Sequence, residues 1–192
     1  MTSRRAVLVF AGFMIVMAAV AVLLAVVVPR RYRGNEARGT AAGAPTAPAT
    51  PGRRIKAHLF YVSEDGTRLT SVERDVAFGE GTTEQARQIV EAQIAPVTEP
   101  LISAVPAATK LRALFVTERG EAFVDFSREL VAGHTGGTTS ELLTVYTIVD
   151  ALTANLPAVT SVQLLVDGKQ IETLAGHIDL RRPLDKSATW LQ

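Results

Sequence analysis

The stretch GHTGGTTSELLTVYTIVDAL, Gly133–Leu152, places three glycines and four Thr or Ser residues before an apolar run. A glycine-rich turn that enters a helix can bind phosphate, because the first N–H groups of a helix have no partner within it. A phosphate loop would also show a defined glycine spacing and a Lys or acidic partner, which this stretch lacks. Thr138 and Glu141 instead have the spacing of a capping box, in which each side chain binds the other residue's N–H. We therefore interpret the stretch as a helix start, with weak anion binding at the helix N-terminus as the alternative.

Metal binding is the next chemistry to consider, and its candidates are His58, His134 and His177. They have no close ligand spacing and fall on three different predicted elements, whereas structural zinc ligands usually come in closely spaced pairs. The chain contains no cysteine, so it has no thiolate ligand, no catalytic thiol, no disulfide and no lipidated cysteine. We predict no metal and no cofactor.

Acid–base chemistry would fall to Asp125, Ser127 and Glu129 in the segment DFSREL. An Asp or Ser between a strand end and a helical turn is, however, typical of ordinary capping. Asp167 and Gly168 lie between two predicted strands, as expected of a hairpin turn. The GxSxG pattern of a nucleophile elbow does not occur. The sequence therefore predicts a protein without catalytic, cofactor-binding or metal-binding residues, and so not an enzyme.

The first elements after the amino-terminal region are predicted to be a hairpin and a helix. Alternating apolar residues predict strands at Ile55–Val62 and Arg68–Val76, joined by the turn SEDG. The helix would have Thr82 as its N-cap, Gln85 three residues later, and Pro96 beyond its end. One face of this helix holds Ala86, Ile89, Val90, Gln93 and Ile94.

A second hairpin and helix follow. Strands are predicted at Leu111–Thr117 and Ala122–Phe126 around the turn ERG, and a helix from about Thr139 to Leu156. Thr160–Val166 is a further strand, and the turn DGK leads to a short one, QIETL. The order ββαββαββ predicts an α+β domain of mostly antiparallel sheets whose two main helices cover one sheet face.

The segment Ala6–Val28 contains 23 residues and no charged or polar side chain. A helix of that length reaches roughly 34 Å, which exceeds a hydrocarbon core of about 30 Å. The alternative is a cleaved signal peptide, whose apolar region is usually shorter and is followed by a polar stretch, whereas this chain stays apolar almost to Arg30. We therefore predict an uncleaved transmembrane signal anchor at residues 6–28, after a short basic N-terminus at residues 1–5.

Residues 29–52 are rich in Ala, Pro, Gly and Thr and predict a flexible linker, which leaves residues 53–192 as the folded domain. Residues 1–52 hold six Arg and one acidic residue, whereas residues 53–192 hold fourteen Lys or Arg and eighteen Asp or Glu, a formal charge of −4. Nucleic-acid binding needs a clustered basic surface, and the basic cluster here flanks the apolar segment. We therefore exclude nucleic acid as a partner.

Four segments together resemble the GerMN domain of sporulation and spore-germination proteins. They are VDFSREL (Val124–Leu130), SELLTVYTIVDAL (Ser140–Leu152), VQLLVDGK (Val162–Lys169) and LAGHIDL (Leu174–Leu180). The resemblance extends over residues 53–184.

The resemblance implies a non-catalytic α/β domain that serves as a scaffold or assembly partner in the bacterial envelope. It implies a single-pass protein of the cytoplasmic membrane with its C-terminal domain outside the cytoplasm. We accordingly expect an envelope protein as partner, and self-association as a further mode of contact. The chain departs from some members, because it has a membrane helix where they carry a lipidated cysteine and one domain copy where others carry two. An envelope process other than sporulation is therefore open to it.

The alternative hypothesis is a hydrolase or ligand-binding domain that acts on cell-wall material. Its nearest polar cluster in the sequence would be Asp125, Glu129, His134 and Glu141. Acid catalysis of this kind needs paired carboxylates on separate elements with apolar neighbours, and no clear pair is evident.

Overall fold

The computed structural model describes residues 52–187 and 189, which belong to one compact unit, Thr50–Gln192. The strands are β1 (Arg54–Val62), β2 (Leu69–Ala77), β3 (Leu111–Val116), β4 (Glu121–Phe126), β5 (Ser161–Val166), β6 (Lys169–Gln170) and β7 (Leu184–Asp185). The helices are α1 (Gly81–Ile94), α2 (Glu129–Ala132) and α3 (Thr138–Asn155). The mixed α+β class is therefore as predicted.

Strands β1 and β2 form a two-stranded antiparallel sheet. Its register runs without a break from the pair Arg54 and Ala77 to the pair Val62 and Leu69. This confirms the first predicted hairpin, which follows from the alternation of apolar residues in β1.

The outer edge of β1 is closed by amide side chains from two helices. Gln93 of α1 binds both the N–H and the C=O of Phe60, at 2.8 Å each. Asn155 of α3 does the same at His58, at 2.8 and 2.7 Å. Each amide supplies one donor and one acceptor, so it replaces a residue of a neighbouring strand.

The second sheet has five strands in the order β3-β4-β5-β6, and β7 also pairs with β5. Strands β4 and β5 are parallel, whereas the other pairs are antiparallel. The sequence predicted mostly antiparallel pairing but not this parallel pair. Helices α2 and α3 provide the long connection that a parallel pair requires.

Helices α1 and α3 contribute to two hydrophobic cores. One core joins them to the five-stranded sheet through residues such as Val90 and Val149. The other joins them to the β1–β2 hairpin through residues such as Ile89 and Ala151. The prediction that the helices cover one sheet face is therefore wrong, because they pack on both sheets. Burial on both sides also explains why α3 is apolar around most of its surface.

The start of α1 differs from the prediction. Glu80 occupies the N-cap position and no side chain caps the helix, so the predicted N-cap Thr82 lies inside it. Gln85 does reach back, but to the turn before the helix. Its Oε1 accepts the Gly79 N–H at 2.9 Å, and its Nε2 donates to the Ala77 carbonyl at 3.2 Å. The end of α1 at Ile94 agrees with the predicted stop.

The remaining differences concern short elements. The predicted strand QIETL at residues 170–174 shares only Gln170 with β6, whose other residue, Lys169, was predicted as part of the turn. Helix α2 and strand β7 were not predicted. Elements of two to four residues contain too few positions to show a period of 2 or 3.6.

The predicted basic N-terminus, membrane anchor and all but the last residue of the linker lie outside the described residues. Within residues 52–187 and 189, no helix has the length and apolar character needed to cross a bilayer.

Candidate functional site

The glycine-rich stretch does start α3, but without the predicted capping box. The N-cap residue is Gly137, and no side chain caps the helix. Gly136 and Gly137 have φ angles of 83° and 88°, which glycine adopts easily because it has no Cβ. The predicted contact between Thr138 and Glu141 is therefore wrong. Glycine geometry starts the helix, and the Glu141 side chain binds a distant loop.

The carboxylate of Glu141 is fully buried and holds the loop that follows β6. Its Oε1 accepts the Leu174 N–H at 2.8 Å, and its Oε2 accepts the His177 N–H at 2.9 Å. The His177 Nδ1 lies 3.1 Å from Oε2. Burial raises the pKa of Glu141, but the N–H groups donated by residues 174–178 outweigh burial, so this pKa lies below its ordinary value. Glu141 is thus a structural anchor.

The three histidines that were considered as metal-ligand candidates bind separate partners. His58 Nδ1 lies 3.1 Å from the Ser71 hydroxyl, and His177 lies against Glu141. Across the described ranges 52–187 and 189, no group of three or more His, Asp or Glu residues could hold a metal ion. The structure does not bring the three histidines together.

The residues of the DFSREL segment have structural contacts. Asp125 Oδ1 accepts the Gly168 N–H at 2.7 Å, which fixes the β5–β6 turn. The Ser127 hydroxyl accepts the Lys110 N–H at 3.0 Å. Hydrogen bonds from the Ser127 side chain and the Glu129 N–H lower the pKa of Glu129. The predicted capping of the following helix is wrong, because the N-cap residue of α2 is Arg128 and no side chain caps it. Asp125 and Ser127 instead bind the main chain of residues that are distant in the sequence.

The polar cluster of the wall-hydrolase hypothesis is not one site in the structure. Asp125 binds the β5–β6 turn, Glu141 binds the loop after β6, and His134 binds Thr144 on α3. These side chains are directed to different elements, so they do not form a pair of carboxylates around one reacting bond.

Asp150 is a buried acid that the sequence reasoning missed. Its side chain is 1% exposed, and its Oδ1 accepts the Ser187 N–H at 3.3 Å. Among the described residues its Oδ2 has no hydrogen-bond partner. Burial raises the pKa of Asp150 to about 6, against the opposing effects of the Ser187 N–H and the Lys186 charge.

A cleft of about 780 Å³ is the main concave feature near the glycine-rich stretch. We call it the connection cleft, because the connection between α1 and β3 supplies most of its wall. Its lining comprises residues 94–97, 101–107, 133–135 and 139–140 with Val62, Gly66 and Leu143. Most of this lining is aliphatic.

His134 links two walls of the connection cleft. Its Nδ1 accepts the Gly136 N–H at 3.0 Å, so Nε2 carries the proton and donates to the Thr144 hydroxyl at 3.2 Å. Thr144 in turn donates to the Ala104 carbonyl at 2.8 Å. The neutral imidazole therefore connects the glycine-rich stretch, α3 and the α1–β3 connection.

Comparison with known proteins agrees with the fold. The sequence profile of the Germane family, described as sporulation and spore germination, matches residues 58–172. No curated protein matches the chain.

Three solved structures are similar. A Clostridium perfringens protein described as a lipoprotein is 20% identical with a TM-score of 0.50, over 74% of this chain and 93% of that one. The tandem GerMN domains of the sporulation protein GerM from Bacillus subtilis are 16% identical with a TM-score of 0.54, over 69% of this chain and 46% of that one. The first GerMN domain of GerM alone is 19% identical with a TM-score of 0.49, over 70% and 98%.

The first two structural matches show a shared fold, and this chain spans under half of the tandem protein. The family profile covers more than half of the chain, from the middle of β1 to beyond β6, and includes α1 and α3. The resemblance inferred from the sequence motifs is thereby confirmed: the chain belongs to the Germane family of sporulation and spore germination domains.

Proposed function

We propose that this protein is a membrane-tethered interaction or scaffold module on the outer side of the bacterial cytoplasmic membrane. Membership of the Germane family supports a role in sporulation or germination. The apolar segment Ala6–Val28 and the linker at residues 29–52 support a tethered domain. The domain acts by contact with an envelope protein, and self-association is the second mode of contact.

An aromatic pair on the five-stranded sheet carries this proposal. Phe115 of β3 lies opposite Phe123 of β4, on the face opposite to the buried Leu114 and Val124. The Phe115 side chain is 60% exposed. Exposed aromatic side chains are enriched at protein interfaces, because burial of their large apolar area favours association.

Charged residues lie beside this aromatic pair. Arg112 Nη1 lies 3.4 Å from Asp125 Oδ2 and 3.2 Å from Asp167 Oδ1. Partly exposed ion pairs add little stability, but they restrict which partner surface fits. An apolar centre with a polar rim is the usual anatomy of a protein interface.

Photo-crosslinking in living cells tests the proposal. A benzophenone amino acid at position 115 of the full-length protein should crosslink to one envelope protein or to a second copy. The matched control is the same probe at Arg74, an exposed position on β2, which should give no such product. A folded, exported protein that gives no protein crosslink at position 115 would contradict the proposal.

The connection cleft is where the alternative hypothesis, the binding of a cell-wall ligand, can be tested. A concave site of about 780 Å³ is large enough for a small ligand. Isothermal titration calorimetry with soluble wall fragments tests this candidate function. A saturable binding heat that disappears when residues lining the cleft are substituted would support it. The hydrolytic form receives no support from the lining, because the lining residues include no carboxylate.

A further inference from the structure

We infer that the connection cleft binds an extended, uncharged, aliphatic segment of a partner polypeptide. The inference rests on the proposed interaction function, for which it adds a second contact surface and names the kind of partner that fits. The cleft is bordered by the end of β1 and the α1–β3 connection, whereas Phe115 lies on β3. The two surfaces can therefore be altered separately.

The charge of the lining sets the first requirement on the occupant. None of the residues that line the cleft, all within the described part of the chain, is Asp, Glu, Lys or Arg. Both ring nitrogens of the lining residue His134 are already bound, to Gly136 and Thr144. A charged segment would lose hydration here without meeting an opposite charge, which costs free energy. The matching occupant is uncharged.

The walls set the second requirement. Ile94, Val97, Leu101 and Leu143 supply aliphatic surface, and Ile102 is 49% exposed at the cleft. The lining contains no aromatic residue, although sugar rings commonly stack on such side chains. It also contains no cation that would recognise a phosphate. Aliphatic side chains of a polypeptide therefore fit the walls better than a glycan or a nucleotide does.

The main chain at Ser103 favours a polypeptide in particular. Ile102 forms an antiparallel bridge with Val62, whose N–H donates to the Ile102 carbonyl at 2.8 Å. Neighbouring residues in such a pair direct their backbone groups to opposite sides, so those of Ser103 point away from β1. Within residues 52–187 and 189, the Ser103 N–H and C=O have no hydrogen-bond partner. A free donor and acceptor on one lining residue can pair with an extended peptide backbone.

The walls are also held in place before any partner arrives. Thr144 connects His134 to the Ala104 carbonyl, and His134 binds Gly136, so both sides of the cleft are tied to α3. A preformed site loses less conformational entropy on binding than a site that must order itself. The cleft is thus arranged to receive a short segment without a large change in the fold.

Selection from a random library identifies the preferred occupant. A phage-displayed heptapeptide library is panned against the full-length protein in lipid nanodiscs, and fluorescein-labelled copies of the selected peptides are measured by fluorescence anisotropy. We expect peptides without charge that carry Val, Ile, Leu or Ala at alternate positions. I102D should weaken their binding by about tenfold or more, because it places a charge against the apolar segment. R74D is the matched control, because it places an acidic side chain at an exposed position of β2 that does not line the cleft, and it should leave the Kd unchanged.

A second pair of variants tests the role of the main chain. S103P removes the backbone N–H, whereas S103A keeps it. We expect S103P to weaken binding by about tenfold and S103A by less than about twofold, since the hydrogen bond belongs to the backbone. Equal effects of the two substitutions would contradict backbone pairing.

Several outcomes would overturn the inference. These are the absence of selected peptides, peptides rich in charged residues, and binding that is insensitive to I102D. Tighter binding of a synthetic peptide of residues 39–52, of a second copy of the chain, of oleate or of soluble wall glycan would assign the cleft to that occupant instead. Failure of the Phe115 crosslinks, together with intact peptide binding, would contradict the proposed sheet surface and leave the cleft inference standing.

Discussion

Two carboxylates on α3 are fully buried and yet have pKa values shifted in opposite directions. Glu141 accepts N–H groups from a loop that surrounds it, so its charged form is stabilised. Asp150 has one long hydrogen bond, to Ser187, and one oxygen without a partner among the described residues. Burial alone does not decide the direction of a shift, since the number of donors to the charged form decides it as well.

Substitution of Asp150 by Asn should stabilise the protein near neutral pH. The pKa of Asp150 is raised to about 6 in the folded protein, from an ordinary value of 3.8. The folded state therefore binds this proton more tightly, and the free energy of unfolding falls as pH rises from about 4 to about 6. D150N removes this loss, so at about pH 7.5 it should be more stable by roughly 1–3 kcal/mol.

Urea unfolding at several pH values measures this difference. The exposed Asp185 provides the control, because D185N should follow the pH dependence of the unchanged protein. If D150N showed the same decline between about pH 4 and 6 as the unchanged protein, Asp150 would not be the titrating group.

Substitution of Glu141 by Gln should destabilise the protein. The amide cannot accept all the N–H groups that the carboxylate accepts, and it would place its own donors against them. We expect a loss of roughly 2–4 kcal/mol in unfolding free energy. Because the pKa of Glu141 is lowered, its contribution is present above the unfolded pKa and is lost as pH falls through the folded pKa. The exposed Glu118 is the control, since E118Q should change stability by less than about 0.5 kcal/mol.

At the scale of elements, the sequence predicted the strands, helices and turns whose formation depends on residues close together in the chain. Both hairpins, α1 and α3 follow from periods of 2 and 3.6, and the Asp167–Gly168 turn follows from its residue types. The capping box failed because Glu141 binds residues that lie more than 30 positions later. The parallel pair of β4 and β5 and the connection cleft also depend on distant segments, which local periodicity does not encode.

The sequence contains a local indication that one of the two acidic residues, Asp150, is buried. Asp150 interrupts the apolar run VYTIVDAL, and an acidic residue in a buried run is expected to have a specific partner. The signal does not tell which partner binds it, because that depends on the C-terminal segment.

Two substitutions at the start of α3 distinguish the contribution of glycine backbone geometry from that of side-chain capping. Gly137 has φ of 88° and ψ of 145°, a region that is almost restricted to glycine. G137A should therefore reduce the unfolding free energy by roughly 1–3 kcal/mol. T138A should change it by less than about 0.5 kcal/mol, because the Thr138 side chain makes no cap hydrogen bond. Thermal unfolding of the two variants measures these losses. A larger loss of unfolding free energy in T138A than in G137A would support the capping box instead.

The edge of β1 depends on Gln93. Its replacement by Leu leaves the Phe60 N–H and C=O buried without partners, which should cost roughly 2–5 kcal/mol in unfolding free energy. The control is Gln88, whose side chain binds Glu84 on the same helix, and Q88L should cost less than about 1 kcal/mol. Guanidinium unfolding compares the two. Equal losses would mean that the amide contacts at β1 contribute nothing specific.

At the scale of the whole molecule, the prediction of a tether can be tested by truncation. The full-length protein should sediment with membranes, and externally added protease should degrade its domain in spheroplasts. A chain that begins at residue 53 should be soluble, because it lacks the apolar segment Ala6–Val28. A full-length protein that remains in the soluble fraction would contradict the anchor. A protected domain in intact spheroplasts would contradict its placement outside the cytoplasm.

The contacts of Glu141 also bear on the order in which the domain folds during its synthesis. The donors that stabilise its charge come from residues 174–178, so they leave the ribosome more than 30 residues after the carboxylate itself. Until then, packing of α3 against the two sheets would bury a charge without compensation, which is unfavourable. We therefore expect the final packing of α3 to follow the synthesis of residues 174–178, near the end of the domain. Late packing of this kind would suit the proposed placement outside the cytoplasm, because a chain that crosses a membrane must do so before it folds.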